Sequence, residues 1–214
     1  MVHRAVDRHR AAARAAGAGA LSTPPGRALV LEHPVRTERL LLRPIDPAGD
    51  VDAIHAYAAR EDVCRYIPWT PRTRDDVVAW LPRRAGTTID APGQGATLAI
   101  TLATTGELIG DTMIIWQSDE HRTGELGYVV NPAYAGHGYA TEAAAAMLAM
   151  AFDRLGLRRL VARVDARNPA SAAVLRKIGM RQEAVLVENE WFKGAWSTEI
   201  DFALLQHEWR ALKP

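Results

Sequence analysis

Residues Gly127–Ala140, GYVVNPAYAGHGYA, run straight into the alanine-rich stretch Thr141–Leu155. A β-branched run ends at Asn131-Pro132, a short loop carries Gly136 and Gly138, and a pattern of helical period follows without a gap. Strand, glycine loop and helix start in this order present backbone N–H groups to an anion. The first turn of a helix leaves its N–H groups unpaired, and its dipole favours negative charge. The stretch points to a phosphate ligand before any catalytic residue is in view.

Two common phosphate loops are excluded by residue identity. A P-loop needs Lys and then Ser or Thr after its second Gly, where this chain has Tyr139-Ala140-Thr141. A dinucleotide fingerprint needs Gly or Ala three residues beyond its second Gly, where Thr141 stands. What remains is small residues at 138 and 140 with Thr141-Glu142 opening an amphipathic helix. That pattern resembles the acetyl-CoA loop of the GNAT N-acetyltransferases, Gln/Arg-x-x-Gly-x-Gly/Ala. Gly138 and Ala140 match, and the leading Gln or Arg is Ala135. The family's loop holds a pyrophosphate mostly with main-chain N–H groups. The resemblance therefore implies cofactor contacts from Ala135, Gly136, His137, Gly138, Tyr139, Ala140 and Thr141.

Downstream, Leu160–Ala166 alternates Leu160, Ala162 and Val164 against Val161, Arg163 and Asp165, as a half-buried strand does. Asn168-Pro169-Ala170-Ser171 then opens a helical run to Ile178, closed by Gly179. Asn168 suits an N-cap, Pro169 the first helical position and Gly179 a left-handed C-terminal residue, so capping alone accounts for all three. The segment RNPASAAVLRKIGMRQE also resembles a GNAT segment with Asn, Ser, Lys and Gly at the places of Asn168, Ser171, Lys177 and Gly179. By that resemblance Asn168 and the helix bearing Ser171 and Lys177 border the pantetheine arm.

Three further stretches, TERLLLRPID from Thr37, DVCRYIPW from Asp62 and KGAWSTEIDFALLQHEW from Lys193, resemble the ribosomal-protein-alanine N-acetyltransferase-like branch. The chain departs from that pattern at Ala135 and at Ser197–Glu199, where an Asp is expected soon after the Trp. The resemblance implies an α/β fold with a mixed, mostly antiparallel twisted sheet flanked by helices. The sheet is expected to split between the strands at Glu125–Val130 and Leu160–Ala166 to admit an acyl-CoA arm.

Composition agrees with one compact domain over residues 31–214, preceded by a loosely attached extension over residues 1–30. The 214 residues carry 26 basic and 25 acidic side chains, a formal net charge of +1. Such a balance gives no global field to recruit nucleic acid or an anionic membrane. The one cysteine, Cys64, excludes an internal disulfide and fits a reducing, cytoplasmic setting. No run of about 18 apolar residues is present to span a membrane. The first 30 residues are rich in Arg, Ala and His and carry Pro24-Pro25-Gly26. They read either as a basic arm toward ribosomal RNA or as a frayed end. Monomer and homodimer are both open.

Elsewhere Thr97–Ala103 alternates as a strand, Thr104–Glu107 reads as a hairpin turn, and Leu108–Trp116 as the strand after it. Asp46–Ala59 and Arg74–Arg83 read as shorter helices, and Thr141–Leu155 as a longer one.

Acetyl transfer from a thioester to an amine needs a neutral amine and a polarised carbonyl. An α-amine with pKa near ~8 is appreciably neutral at neutral pH, whereas a lysine near ~10.4 is not, so an α-amine needs only a weak base or a water chain. Glu125, in GELGYVV, is the candidate base, the alternative being a solvent-facing strand carboxylate. Main-chain N–H at Val129 or Val130 is the candidate for polarising the carbonyl. Ser171 is the candidate donor to the leaving sulfur, with Tyr139 a substitute. By the same resemblance the segment with Glu190 beside Trp191 is a hairpin over the acceptor site, suited to a cationic amine with an apolar neighbour; surface charge and core aromatics account for the same residues equally well. No His, Cys, Asp or Glu cluster has metal-ligand spacing, and the chemistry needs no metal. The resulting expectation is an acetyl-CoA-dependent N-acetyltransferase acting on protein or peptide N-termini, with a ribosomal protein as a possible partner. The alternatives are a small-amine or aminoglycoside acetyltransferase and a non-catalytic acyl-CoA-binding module.

Overall fold

A computed structural model describes residues 28–31 and 33–212. Its frame is an eight-stranded sheet. The strands are β2 (Val35–Arg36), β3 (Leu40–Pro44), β5 (Gly95–Leu102), β6 (Leu108–Ser118), β7 (Thr123–Val130), β8 (Arg159–Asp165), β9 (Arg181–Phe192) and β10 (Ala195–Leu205). They lie in the order β2-β3-β5-β6-β7-β8-β10-β9. Each neighbouring pair is antiparallel except β7–β8, which is parallel. That pair joins only at Thr123↔Arg159, Gly124↔Leu160 and Glu125↔Val161, after which the two strands part. The expected split is in place, and Glu125 stands at its apex.

Helices cover both faces. On one lie α1 (Val51–Ala58), α2 (Glu61–Cys64) and α3 (Arg74–Trp80), whose Val51, Ile54, Val63 and Val77 pack with Ala99 and Val129 of the sheet. On the other lie α4 (Tyr139–Ala149), α5 (Pro169–Lys177) and α6 (Gln206–Leu212), whose Met147, Leu175 and Trp209 pack with Leu126, Leu160 and Phe202. β6 is apolar or small along nearly its whole length and buried throughout Leu108–Trp116, because it has helices above and below. Local chemistry sets the ends. Thr73 and Asp76 close a reciprocal capping box on α3, and the Asn168 side chain accepts the Ser171 N–H at 3.1 Å on α5. Lys193 and Gly194, at φ 51° and 81°, make the two-residue turn from β9 to β10.

Three expectations change. The helix expected over Asp46–Ala59 starts only at Val51. Asp46 and Asp50 spend their carboxylates on a turn, accepting from Ala48 N–H and from Arg43 respectively. The helix expected over Thr141–Leu155 starts at Tyr139 and widens after Ala149 into a π-turn, Met150–Arg154. Leu155 N–H there bonds back to Met150 C=O, and the wider turn places Met150, Ala151 and Phe152 all in the core. The boundary at residue 30 also moves back. Leu29–Val30 form β1 against β4 (Thr88–Ile89), and Leu29 and Leu31 are buried. Residues 1–27, with the basic arm, lie outside the described residues.

Candidate active site

The glycine loop closes β7 and opens α4. Asn131 bends the chain by accepting the Ala133 N–H, and Pro132–Tyr134 make one 3-10 turn. Gly136 (φ 83°) and Gly138 (φ 81°) then take left-handed conformations that an L side chain would strain. Gly138 is the N-cap of α4. The first intrahelical bond runs from Glu142 N–H to Gly138 C=O, which leaves the N–H groups of Tyr139, Ala140 and Thr141 without intrahelical partners. A β-carbon on Gly136 would meet nothing within 4 Å, so the cradle is open to a ligand. These features fit a pyrophosphate. Ala135 leaves the set, because its N–H is bonded to Pro132 C=O and its methyl is exposed. His137 contributes packing instead: its ring stacks on Tyr139 at 5.5 Å. Tyr139 is thereby held under Arg39, 5.0 Å from the guanidinium, and not in the split as a proton donor.

From the loop the split runs back along β7 for about 17 Å, the rise of five strand residues, to Glu125. A ligand with its phosphates on the loop reaches Glu125 only through a long arm. Strand alternation decides which main-chain groups line that path. Asn131 N–H bonds Ile109 C=O on β6, so Val129 opposite Asp111 also faces β6, while Tyr128 and Val130 face the side of β8. Val130 therefore remains a candidate carbonyl-polarising donor, joined by Tyr128, and Val129 drops out.

Glu125 is fully buried, not a solvent-facing carboxylate. Two donors converge on its Oε2 at 2.6 Å, Gln117 Nε2 from β6 and Arg163 Nη1 from β8. Oε1 is buried and makes no hydrogen bond among the described residues. Burial raises the carboxyl to about 7; Arg163 opposes this, and Glu199 and Asp201 reinforce it. The placement comes from register. Glu125 stands opposite Ile115 and Val161, Arg163 opposite Asp201, and Glu199 opposite Asp165. Gln117 joins them because the β6–β7 register shifts between Trp116 and Ser118.

Ser171 is buried, and the Tyr128 hydroxyl lies 3.0 Å from both its hydroxyl and its carbonyl oxygen. Tyr128 and Ser171 thus tie β7 to α5 across the split as one pair of hydroxyls. Asn168, buried at the start of α5, borders the same split, whereas Lys177 sits exposed at the other end, roughly 12 Å away by helix rise.

On the acceptor side Glu190 is half-buried on β9, and Trp191, 61% exposed, meets Trp196 edge-on at 5.5 Å. Lys193 Nζ at the hairpin turn donates to the carbonyls of Cys64 and Trp69, both at 2.6 Å. This bond pins the hairpin to the Asp62–Trp69 segment. Where an Asp was expected after Trp196, Glu199 lies buried and adds charge beside Glu125. Sequence reasoning missed Gln117, Tyr128, Arg163 and Arg39. Arg163 was visible only as the polar member of an alternating strand.

The Acetyltransferase (GNAT) domain family matches residues 39–181. The chain is 32% identical over 175 residues to an uncharacterised N-acetyltransferase, YnaD, of Bacillus subtilis, spanning 82% of this chain and 98% of that protein. The crystal structure of a GNAT-family acetyltransferase from Bacillus anthracis superposes with a TM-score of 0.73 at 31% identity, over 81% of this chain and 99% of that one. A spermidine N(1)-acetyltransferase of Escherichia coli is 29% identical over 106 residues, 50% of this chain and 57% of that protein.

Proposed function

This chain belongs to the GNAT acetyltransferase family and is an acetyl-CoA-dependent N-acetyltransferase; within that class we propose that its acceptor is the α-amine of a protein or peptide N-terminus, attacking directly in a ternary complex. The observation that carries the reading is Glu125. Its Oε2 is fixed by Gln117 and Arg163, its Oε1 is uncommitted, and its carboxyl titrates near about 7 at the apex of the split. A base of that strength suits an amine of pKa near ~8, which is already partly neutral. Acetyl-CoA, when bound, supplies an activated acetyl thioester. Glu125 Oε1 takes the proton that the attacking amine loses. The N–H groups of Tyr128 and Val130 face the split, where they can donate to a carbonyl oxygen. The Tyr128–Ser171 hydroxyl pair can donate a hydrogen bond to the leaving sulfur, which departs as a thiolate without needing a proton from it. Trp191 and Trp196 are exposed on the β9–β10 hairpin, where they would suit a chain end projecting from a larger partner such as a ribosomal protein.

A second reading, a small polyamine-like acceptor, is favoured by the carboxylates of Glu199 and Asp201 beside Glu125 and by the similarity to a spermidine acetyltransferase. Thiol release from acetyl-CoA separates the two readings. It is measured with short peptides beginning Ala, Ser or Thr and, in parallel, with polyamines and aminoglycosides. Turnover with the peptides alone is expected. Turnover with the small amines alone replaces the first reading by the second. Binding of acetyl-CoA without turnover in either set would overturn both acceptor readings.

A further inference from the structure

The cradle has no cation on its own loop, because the leading position is Ala135. It also holds an anion: Glu142, in the first turn of α4, accepts from Thr37 Oγ1 at 2.6 Å, from Arg39 N–H at 2.8 Å and from Arg39 Nε at 2.7 Å. Burial pushes that carboxyl up, but the bonds from Thr37 and Arg39 outweigh it and hold Glu142 below the usual range, so it stays ionised. A bare carboxylate beside unpaired helix N–H groups would compete with any phosphate brought to them.

Arg39 changes that balance. It comes from the turn before β3, 98 residues earlier in the chain than His137, whose carbonyl it reaches with Nη1 at 2.9 Å. Its guanidinium lies over Tyr139, so the aromatic ring, the His137 carbonyl and Glu142 fix its plane. Nε and Nη1 are thereby used. Nη2 makes no hydrogen bond among the described residues and lies 3.5 Å from where a β-carbon on Gly138 would stand. The side chain is 45% exposed, so the remaining edge of the fork is open at the mouth of the cradle.

We propose that Arg39 is a pyrophosphate ligand of the acyl-CoA, standing in from another element for the side chain missing at Ala135; this rests on the reading of residues 136–141 as the phosphate cradle. A guanidinium held by three protein contacts, with Nη2 uncommitted among the described residues and beside Gly138, is preorganised for a phosphate oxygen. Neutralising Glu142 is the second half of the same role.

Calorimetric affinities for CoA, 3′-dephospho-CoA and pantetheine test the proposal without turnover. The wild-type protein is expected to bind both nucleotides far more tightly than pantetheine; equal affinities would sink the cradle reading itself. Arg39→Met is expected to weaken CoA and 3′-dephospho-CoA alike by roughly 10–100-fold, the range of one charge-assisted hydrogen bond. Pantetheine affinity should not change, which also shows that the variant folds. Arg39→Met with Glu142→Gln should stay weak, and Arg39→Met with Ala135→Arg should recover part of the loss. Full recovery with Glu142→Gln would reduce Arg39 to a counter-ion of Glu142 and overturn the proposal. So would a loss for CoA that 3′-dephospho-CoA does not share, or an equal loss for pantetheine.

Discussion

The two ends of the β7–β8 split are built from different materials. At the loop end the donors are main-chain N–H groups of residues 139–141, set by two left-handed glycines and a helix start within a dozen residues of chain. At the apex the working groups are side chains. Glu125, Gln117, Arg163 and Asp201 come from β7, β6, β8 and β10, and only sheet register brings them together. The contrast follows from the chemistry. A pyrophosphate is bound by any array of oriented N–H groups, so a local motif suffices. Proton transfer needs a single oxygen at a chosen affinity for protons, and that takes burial with several charges around it. The loop end should therefore be sensitive to backbone shape and the apex to side-chain identity.

The largest expected effect lies at the apex. Glu125→Gln should lower kcat/KM by about 10²–10⁴-fold, the usual worth of a positioned base, while acetyl-CoA affinity stays unchanged. In the wild-type protein log kcat/KM should rise with pH through about 7, where Glu125 ionises, and on through the titration of the acceptor amine near ~8. The variant should lose only the first of these limbs. A parallel fall in cofactor affinity would erase the distinction between the two ends. The same substitution reads out in stability. The folded-state value of Glu125 is raised from 4.5 to about 7, so its neutral form favours the native state. That contribution is fully present below about pH 4.5 and is lost as pH rises through about 7. Denaturation at pH 5 and pH 8 should show the gap between wild type and Glu125→Gln moving toward the variant by something on the order of 3 kcal/mol. A gap independent of pH would mean that the carboxyl is not raised.

At the loop end the expected loss is smaller and of the other kind. Gly138→Val forces a β-branched residue to φ 81°. Acetyl-CoA affinity should fall roughly 10–100-fold, since one or two oriented N–H donors are displaced. At saturating acetyl-CoA, kcat and its pH dependence should be nearly those of the wild type. Loss of kcat at saturation would show that the loop also shapes the apex.

The same contrast explains what could be read along the chain. The glycine loop, the Asn168 cap and the alternation of β8 are local patterns, and the structure contains all three at their expected places. The mostly antiparallel sheet with its split was legible through the resemblance that those segments carry. Arg163 was placed on the correct face, but alternation says nothing of its partner, which is 38 residues away. Gln117 depends on a strand bulge, and a bulge leaves no mark in hydrophobic period. Glu125 reads as a solvent-facing strand carboxylate because the groups around it, Ile115 and Val161 in register and Gln117 and Arg163 on its Oε2, come from other strands. The π-turn after Ala149 was hidden because an i→i+5 turn keeps the same apolar composition.

The hairpin is the proposed acceptor approach, and it gives the smallest effect. Trp191 is mostly exposed, and its ring contact is with Trp196, its register partner across β9–β10. Trp191→Ala removes that edge-on pair and one wall of the approach, while Lys193 still anchors the turn through the Cys64 and Trp69 carbonyls. The acceptor KM should rise about tenfold or less, the cost of one aromatic contact of ~1 kcal/mol, with kcat and acetyl-CoA affinity kept. Steady-state kinetics with the best peptide acceptor measure it directly. A rise confined to peptides with a bulky second residue would place Trp191 beside the acceptor chain and not over its amine, because an exposed ring covers side chains more readily than it reaches a buried carboxylate. An unchanged KM for every acceptor would move the approach away from the hairpin.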